Sequence, residues 1–459
     1  MNMMMQHRIK EIPGLQFVAD SMEFMSGIGR RRMMEQPFLT QTEQLLAEQN
    51  YVEAMRQALS RKANTSALTT LRHQLMQLHD IRTTLHSLQS HFLLSEVELF
   101  EIKSLSYHAK HAAEALRQMD LSSLFPLPDL TRVFSLLDPD HTGIPNFYIY
   151  DSYDPQLTTL RQQMKQADEQ QMALLIAQQN EVQQHVITHL CDLLQPFAQT
   201  LEQTLEQMAY LDFTLARATL SEQWGLTKPL YDKGEYFFAN LFNPRLRKHN
   251  EDNGLRYQPV DISLTSGTTL ITGANMAGKT VLLKSVGVAQ LMYQYGFPVP
   301  ATDARIEPVD DVVFCIGDEQ NEMNGLSSFA AEITRISDLL HRSEQEHLLI
   351  LIDEPARTTN PVEGKALVQA LTDMLKQRNS ITLITTHYSQ LGIPCRRLRV
   401  KGFVENLVDT PLTATNINRF IDYSLINDDS DEVPHEALRI AEMLECHPNL
   451  ITQARKYLK

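Results

Sequence analysis

The stretch Gly273-Ala274-Asn275-Met276-Ala277-Gly278-Lys279-Thr280 sets two glycines around four residues and follows them at once with a lysine and a hydroxyl. Glycine lets the backbone curl so that successive N–H groups point inward at an anion. The lysine supplies a positive charge on a long stem, and the threonine hydroxyl is a hard oxygen ligand for a small divalent cation. The apolar residues TTLI before it and VLLKSVGVAQLMYQ after it read as a strand and a helix. That chemistry is the cradling of phosphates, with the loop around ATP, Lys279 on its β- and γ-phosphates and Thr280 on Mg2+.

Three further stretches fit the same chemistry. Leu348 to Ile352 is an apolar run that ends in Asp353 and Glu354, as a buried strand would deliver one carboxylate to the magnesium shell and a second to the attacking water. Ile381 to Thr386 is another such strand, ending at His387, whose imidazole can donate to a γ-phosphate from one nitrogen while anchored through the other. Between them lies GLSSFAAE, residues 325–332, where Ser327 and Ser328 stand before a helix that includes Glu332. Capping that helix explains the two serines by itself, and presenting hydroxyls and a helix N-terminus to a phosphate held by a partner subunit explains them equally.

The elements that must position these residues change character along the chain. From residue 15 to about 125, apolar residues recur three and four apart with few glycines or prolines, a helical pattern. Residues 121–156 hold turn formers around FYIY, which the aromatic run predicts as one short strand. A glycine-free stretch from Gln156 to Glu222, rich in Gln and Glu and broken only at Pro196, predicts a long helical arm or hairpin. From about residue 225, apolar strands alternate with helices, which predicts an α/β domain with a mostly parallel sheet up to about 410. The acidic run DDSDE is expected as a solvated linker, and the residues after it as a helix pair broken at Pro448.

Composition bounds the function. The chain has 459 residues, 43% hydrophobic and 21% charged, with a formal net charge of −15. That balance excludes a protein wrapped throughout in nucleic acid, which needs a positive surface. Short basic clusters at Arg30-Arg31-Arg32, at Arg245, Arg247 and Lys248, and at Arg396, Arg397, Arg399 and Lys401 are expected to be solvated or salt-bridged. Four scattered cysteines, without metal-ligand spacing, are expected as reduced thiols of a cytoplasmic protein. The longest aliphatic run is far short of a membrane span, and no membrane partner is expected.

Taken together, ITGANMAGKTVLLKSVG, IGDEQNEMNGLSSFAAEI, LLILIDEPARTTNPVEGKAL and TLITTHYSQL resemble the ATPase domain of the MutS family, relatives of ABC-type ATPases. The IGDEQ, NPVEG and TTHYS wording is most similar to the branch that often carries a C-terminal nuclease, which is not expected here. SGIGRRRMMEQPF, IYDSYDPQLTTLRQQM and LEQMAYLDFTLARATL resemble, more weakly, that family's helical core and returning lever.

The resemblance implies an ABC-type α/β P-loop NTPase domain at 225–410, preceded by an all-α core at 1–155 and lever helices at 156–224, and followed by a dimerising helical segment at 411–459. It implies ATP and Mg2+ as cofactors, Gly273 to Thr280 as the loop, Thr280 and Asp353 at the metal, Glu354 and His387 as catalytic residues, and Ser327 or Ser328 acting in trans in a homodimer or a heterodimer with a related subunit. Ala277 and Thr358 stand where the family usually has glycine. The stretch between DPQLTTLRQQM and the returning helix is expected to be too short for an inserted DNA clamp of several strands. Clamp-less relatives reactivate cobalamin-dependent aminomutases, which implies a protein client; binding of mismatched or branched DNA is the alternative that the rest of the family implies.

Overall fold

Ala198 to Trp224 contains neither glycine nor proline, and it folds as one helix with 16 of its 27 residues buried. It ends where Gly225 takes a left-handed φ of 66°, a conformation glycine adopts without steric cost. A computed structural model describes residues 3–273, 277–316, 328–388, 391–403, 420–428, 438, 441 and 446–457. Within it this helix is the spine of the first half of the chain, packing on helices Gly27–Met34, Thr42–Ser60, Arg82–Gln89 and Glu96–Gln118. One apolar cluster joins these elements, including Val52, Leu71, Leu99, Ile102, Leu205 and Leu215.

The arm is a hairpin of Pro155–Met164 and Glu169–Leu194, joined by the four residues 165–168. Burial in the longer helix begins only at Val186, so its first half stands out from the body. A 3-10 turn at Gln195–Phe197, around Pro196, leads into the spine. FYIY is not a strand: Phe147 to Tyr150 pair with no ladder. The segment is held by a buried side chain instead, because Lys103 Nζ donates to Asn146 O at 2.7 Å, to Asp138 Oδ1 at 3.0 Å and to Tyr150 Oη at 3.1 Å.

The second half builds two sheets. Strands β1 (Leu230–Tyr231), β2 (Tyr236–Leu241), β3 (Val260–Leu264) and β5 (Asp303–Ile306) form a small sheet in the order β1-β5-β2-β3. Strands β4 (Gly267–Thr272), β6 (Asp311–Cys315), β7 (Leu348–Asp353), β8 (Ile381–Thr385), β9 (Arg396–Phe403) and β10 (Ile421–Asn427) form the larger one, in the order β10-β9-β4-β8-β7-β6. All its neighbours are parallel except β10 on β9. β4, β7 and β8 are buried over nearly their whole length, as expected of parallel strands covered on both faces.

Helix Lys279–Gln294 packs against this sheet with 13 of its 16 residues buried, so it is apolar nearly all round. Its last turns are tied to three neighbours. Tyr236 Oη donates to Gln290 Oε1 at 2.8 Å, Gln294 Nε2 donates to Val309 O at 2.6 Å, and Leu39 N donates to Gln294 O at 2.8 Å. Beyond that helix, Gly296 O accepts from the guanidinium of Arg217 at 2.8 Å, and Phe297 O accepts from Gln49 Nε2 at 2.8 Å. Arg217 is fully buried, pairs with Glu48 and lies 4.2 Å above the ring of Phe213.

The basic clusters are salt-bridged as expected: Arg31 to Glu206 at 2.6 Å, Lys248 to Asp252 at 2.7 Å and Lys401 to Asp422 at 2.8 Å. The four cysteines are free thiols. Among the described residues, no helix is long and apolar enough to cross a membrane. Helix Pro448–Lys456 begins at the predicted proline break, while most of the helix expected before it lies outside the described residues.

Arg217 is the joint between the spine and the sheet domain, and its removal would strand the carboxylate of Glu48 in a mostly buried place. Arg217→Ala is therefore expected to destabilise the protein by about 3–5 kcal/mol, the usual cost of breaking a buried pair. The fall in the urea midpoint measures it, and an unchanged midpoint would show that the joint is not held there.

Candidate nucleotide-binding site

The C-terminal ends of β4, β8 and β7 lie side by side, with β8 between the other two. The chain leaves β4 at Gly273, whose φ of 138° favours glycine, and enters its helix through Gly278 at φ 75°. A side chain at Gly278 would also meet the ring of Tyr423, with Cδ1 3.0 Å from an added Cβ. Ala277 is buried beside the loop, and Gly273 has room only for an ordinary contact with it. Ala274, Asn275 and Met276 lie outside the described residues.

Lys279 and Thr280 open the helix and turn toward the carboxylates. Lys279 Nζ donates to Gly273 O at 2.6 Å and lies 3.1 Å from Glu354 Oε1, both side chains being nearly out of solvent at 3% and 11% exposure. Thr280 Oγ1 donates to Asp353 Oδ2 at 2.6 Å, and Thr385 Oγ1 donates to Asp353 Oδ1, also at 2.6 Å. Glu354 N donates to Thr385 O at 3.1 Å and to its Oγ1 at 3.0 Å. His387 Nδ1 stands 4.0 Å from Glu354 Oε2, and the exposed Arg357 reaches the same oxygen at 3.6 Å.

The expected lysine, hydroxyl, carboxylates and histidine thus meet in one place. Ser327 lies outside the described residues, and Ser328 is the first residue of helix Ser328–Arg342, its side chain outside them too. Three contributors went unread in the sequence: Thr385, which steadies both acidic residues, Tyr423 from β10, and Glu332 as an acceptor for the loop after Glu354. A threonine at the end of an otherwise apolar strand was the available signal for the first.

The expectation for the acidic run fails as well. Asp428, the first residue of the acidic run, is not a solvated linker residue but only 8% exposed. Its Oδ2 accepts from Thr272 Oγ1 at 2.7 Å, and its N–H donates to Arg397 O at 3.1 Å. The antiparallel return of β10 carries it inward beneath the loop, a placement that local charge patterning does not encode. The rest of the run lies outside the described residues.

The donor set fits a divalent cation and a phosphate chain. Asp353 with two hydroxyls is a hard-oxygen cluster, of the kind that binds Mg2+ through few protein ligands and shares it with phosphates. Among the described residues, no group of three or more His, Cys, Asp or Glu side chains forms a protein-only metal cage. A glycine-bounded loop running from a parallel strand into a lysine-threonine helix start, with carboxylates one strand removed, defines the class of P-loop nucleotide-binding folds.

The family description MutS domain V, a P-loop ATPase domain, matches residues 269–459. Over that part of its length the chain is similar to the MutS family. It is 34% identical over 223 residues to Endonuclease MutS2 of Agathobacter rectalis, a match spanning 48% of this chain and 27% of that protein. It is 36% identical over 188 residues to Endonuclease MutS2 of Thermus thermophilus, spanning 41% and 24%. The matched region thus covers about a quarter of the length of these curated relatives.

Gly278→Ala forces an L-residue into the left-handed region, at about 1–2 kcal/mol, and pushes on the Tyr423 ring. The variant is expected to melt at a lower temperature and to hold a fluorescent ATP analogue more weakly. Wild-type affinity would show that the loop tolerates a side chain there.

Proposed function

We propose that the chain is a MutS-type ATPase that hydrolyses ATP and uses the cycle to move its helical arm. The observation that carries this is the meeting of Lys279, Thr280, Asp353 and Glu354 within hydrogen-bond or ion-pair distance at one end of the sheet. Thr280 and Asp353 would hold Mg2+, which when bound neutralises phosphate charge and polarises the group under attack. Lys279 can donate to phosphate oxygens in place of Gly273 O and Glu354. Glu354, once relieved of that partner, is an acceptor for the proton of the attacking water as the new P–O bond forms and the bond to the ADP oxygen breaks. The proton then passes to the released phosphate. His387, beside Glu354, is placed to sense the terminal phosphate.

In this reading two copies, or this chain and a related subunit, close on each other's sites through Ser327 and Ser328. Moving such a switch from 1:99 to 99:1 takes about 5.5 kcal/mol of differential affinity, within reach of contacts made by two subunits. The load we favour is a protein client, such as a cobalamin-dependent aminomutase. Two observations support it: the arm closes in a four-residue turn with nothing inserted, and basic side chains of all three clusters face carboxylates instead of forming a track for phosphates. The second reading, ATP-controlled binding of mismatched or branched DNA, is favoured by the relatives named Endonuclease MutS2.

Glu354→Ala is expected to bind ATP with near wild-type affinity and to turn over at least about a hundredfold more slowly, the scale of a lost general base. Unchanged steady-state hydrolysis would remove Glu354 from that role. For the load, a salt titration with heteroduplex and branched DNA separates the readings. Little binding is expected, whereas sub-micromolar affinity with a steep salt slope would establish the DNA reading in its place.

A further inference from the structure

The turn that carries Glu354 has an unusual backbone. Glu354 and Ala356 both lie in the left-handed region, at φ 44° and 59°, on either side of Pro355. Each such L-residue costs about 1–2 kcal/mol, so the conformation persists only where its surroundings hold it. Pro355 has a fixed φ and no N–H to contribute. The N–H of Glu354 is held by Thr385. That leaves the N–H of Ala356, a residue only 2% exposed, and it donates to Glu332 Oε1 at 3.1 Å.

The carbonyl of the same residue, in the next peptide unit, is closed in as well. Ala356 O accepts from Tyr388 Oη at 3.4 Å and from Thr359 N at 3.4 Å. Gly364 presses against it so closely that an added Cβ would stand 3.0 Å from Ala356 O and 2.3 Å from Tyr388 Oη. Tyr388 follows His387 in the chain, and Glu332 comes from a different element, the helix Ser328–Arg342. The two peptide units that flank Ala356 are therefore clamped between that helix and the residues that follow β8.

We propose that Glu332 is a positioning residue for hydrolysis: by accepting the Ala356 N–H it holds the left-handed turn that aims the Glu354 carboxylate at Lys279 and His387. The proposal rests on the reading of Glu354 as the base. Without the acceptor a buried N–H is left unpaired, the turn relaxes toward ordinary φ values, and the carboxylate loses its aim. Because the acceptor rides on helix Ser328–Arg342, the seat of that helix sets the aim of the catalytic carboxylate.

The charge of Glu332 is not needed for this role, only an oxygen in the right place, and that separates two substitutions. Glu332→Ala is expected to lower kcat by about 10- to 100-fold, the scale of a misplaced catalytic group, with the affinity for ATP little changed. Glu332→Gln keeps an acceptor oxygen and is expected to restore most of the rate. Hydrogen exchange of the peptide carrying Ala356 supplies a readout independent of turnover: slow in the wild type and in the Gln variant, fast in the Ala variant. A wild-type kcat in Glu332→Ala, a Gln variant as slow as the Ala variant, or parallel loss of binding, rate and melting temperature would each overturn the proposal. Glu354→Ala, measured alongside, tells the failures apart. If that variant hydrolyses normally, the base assignment and the catalytic part of this proposal fall together, while the exchange data still decide whether Glu332 holds the turn.

Discussion

One carboxylate gathers the site. Asp353 receives a hydroxyl hydrogen from Thr280 on one oxygen and from Thr385 on the other, so the helix after β4, the end of β8 and the end of β7 converge on a single side chain. Hydrogen bonds to an ionised acceptor are among the stronger neutral-donor contacts available to a protein, and two on one group fix its plane as well as its place. Glu354 is the next residue in the chain, so its backbone leaves from a point already pinned. Lys279, Glu354 and His387 can stand within a few ångströms of one another because the strand ends beneath them are locked together.

That lock is transmitted away from the site by a helix with little freedom of its own. Lys279–Gln294 is buried on nearly every face, and its far end is sewn to the small sheet, to Leu39, through Gly296 to the spine and through Phe297 to helix Thr42–Ser60. Close-packed interiors do not deform continuously. A displacement of Thr280 toward or away from Asp353 is thus a displacement of the whole helix, felt at Gln49 and Arg217. The arm is continuous with that spine through the turn at Pro196. Under the proposed function, a motion at the site would reach the arm through one rigid rod, one buried joint and a second rigid rod.

Much of this was legible because it is local. A glycine loop, an apolar strand ending in acids and a glycine-free helix are patterns of near neighbours, and Lys279, Thr280, Asp353, Glu354 and His387 all come together where those patterns put them. What escaped the sequence depends on distant pairing. Asp428 looks like part of a solvated acidic run until the antiparallel return of β10 brings it under Thr272. FYIY has the composition of a strand but no neighbour to pair with, and a buried lysine from a distant helix satisfies it instead. Thr385 and Glu332 gain their roles from β7 and the turn after it, which no window around either residue contains.

The joint at Arg217 is held by a cation that keeps its charge. Burial pulls the guanidinium down, but the adjacent Glu48 carboxylate and Tyr210 together more than offset it, leaving the group above its ordinary range. A guanidinium so placed does not lose its proton at any pH a cell meets. Had a histidine held Gly296 and Glu48 together, it would lose its charge as the pH rose through neutrality and the link would loosen. With arginine there, the cationic side of the link keeps its charge throughout that range.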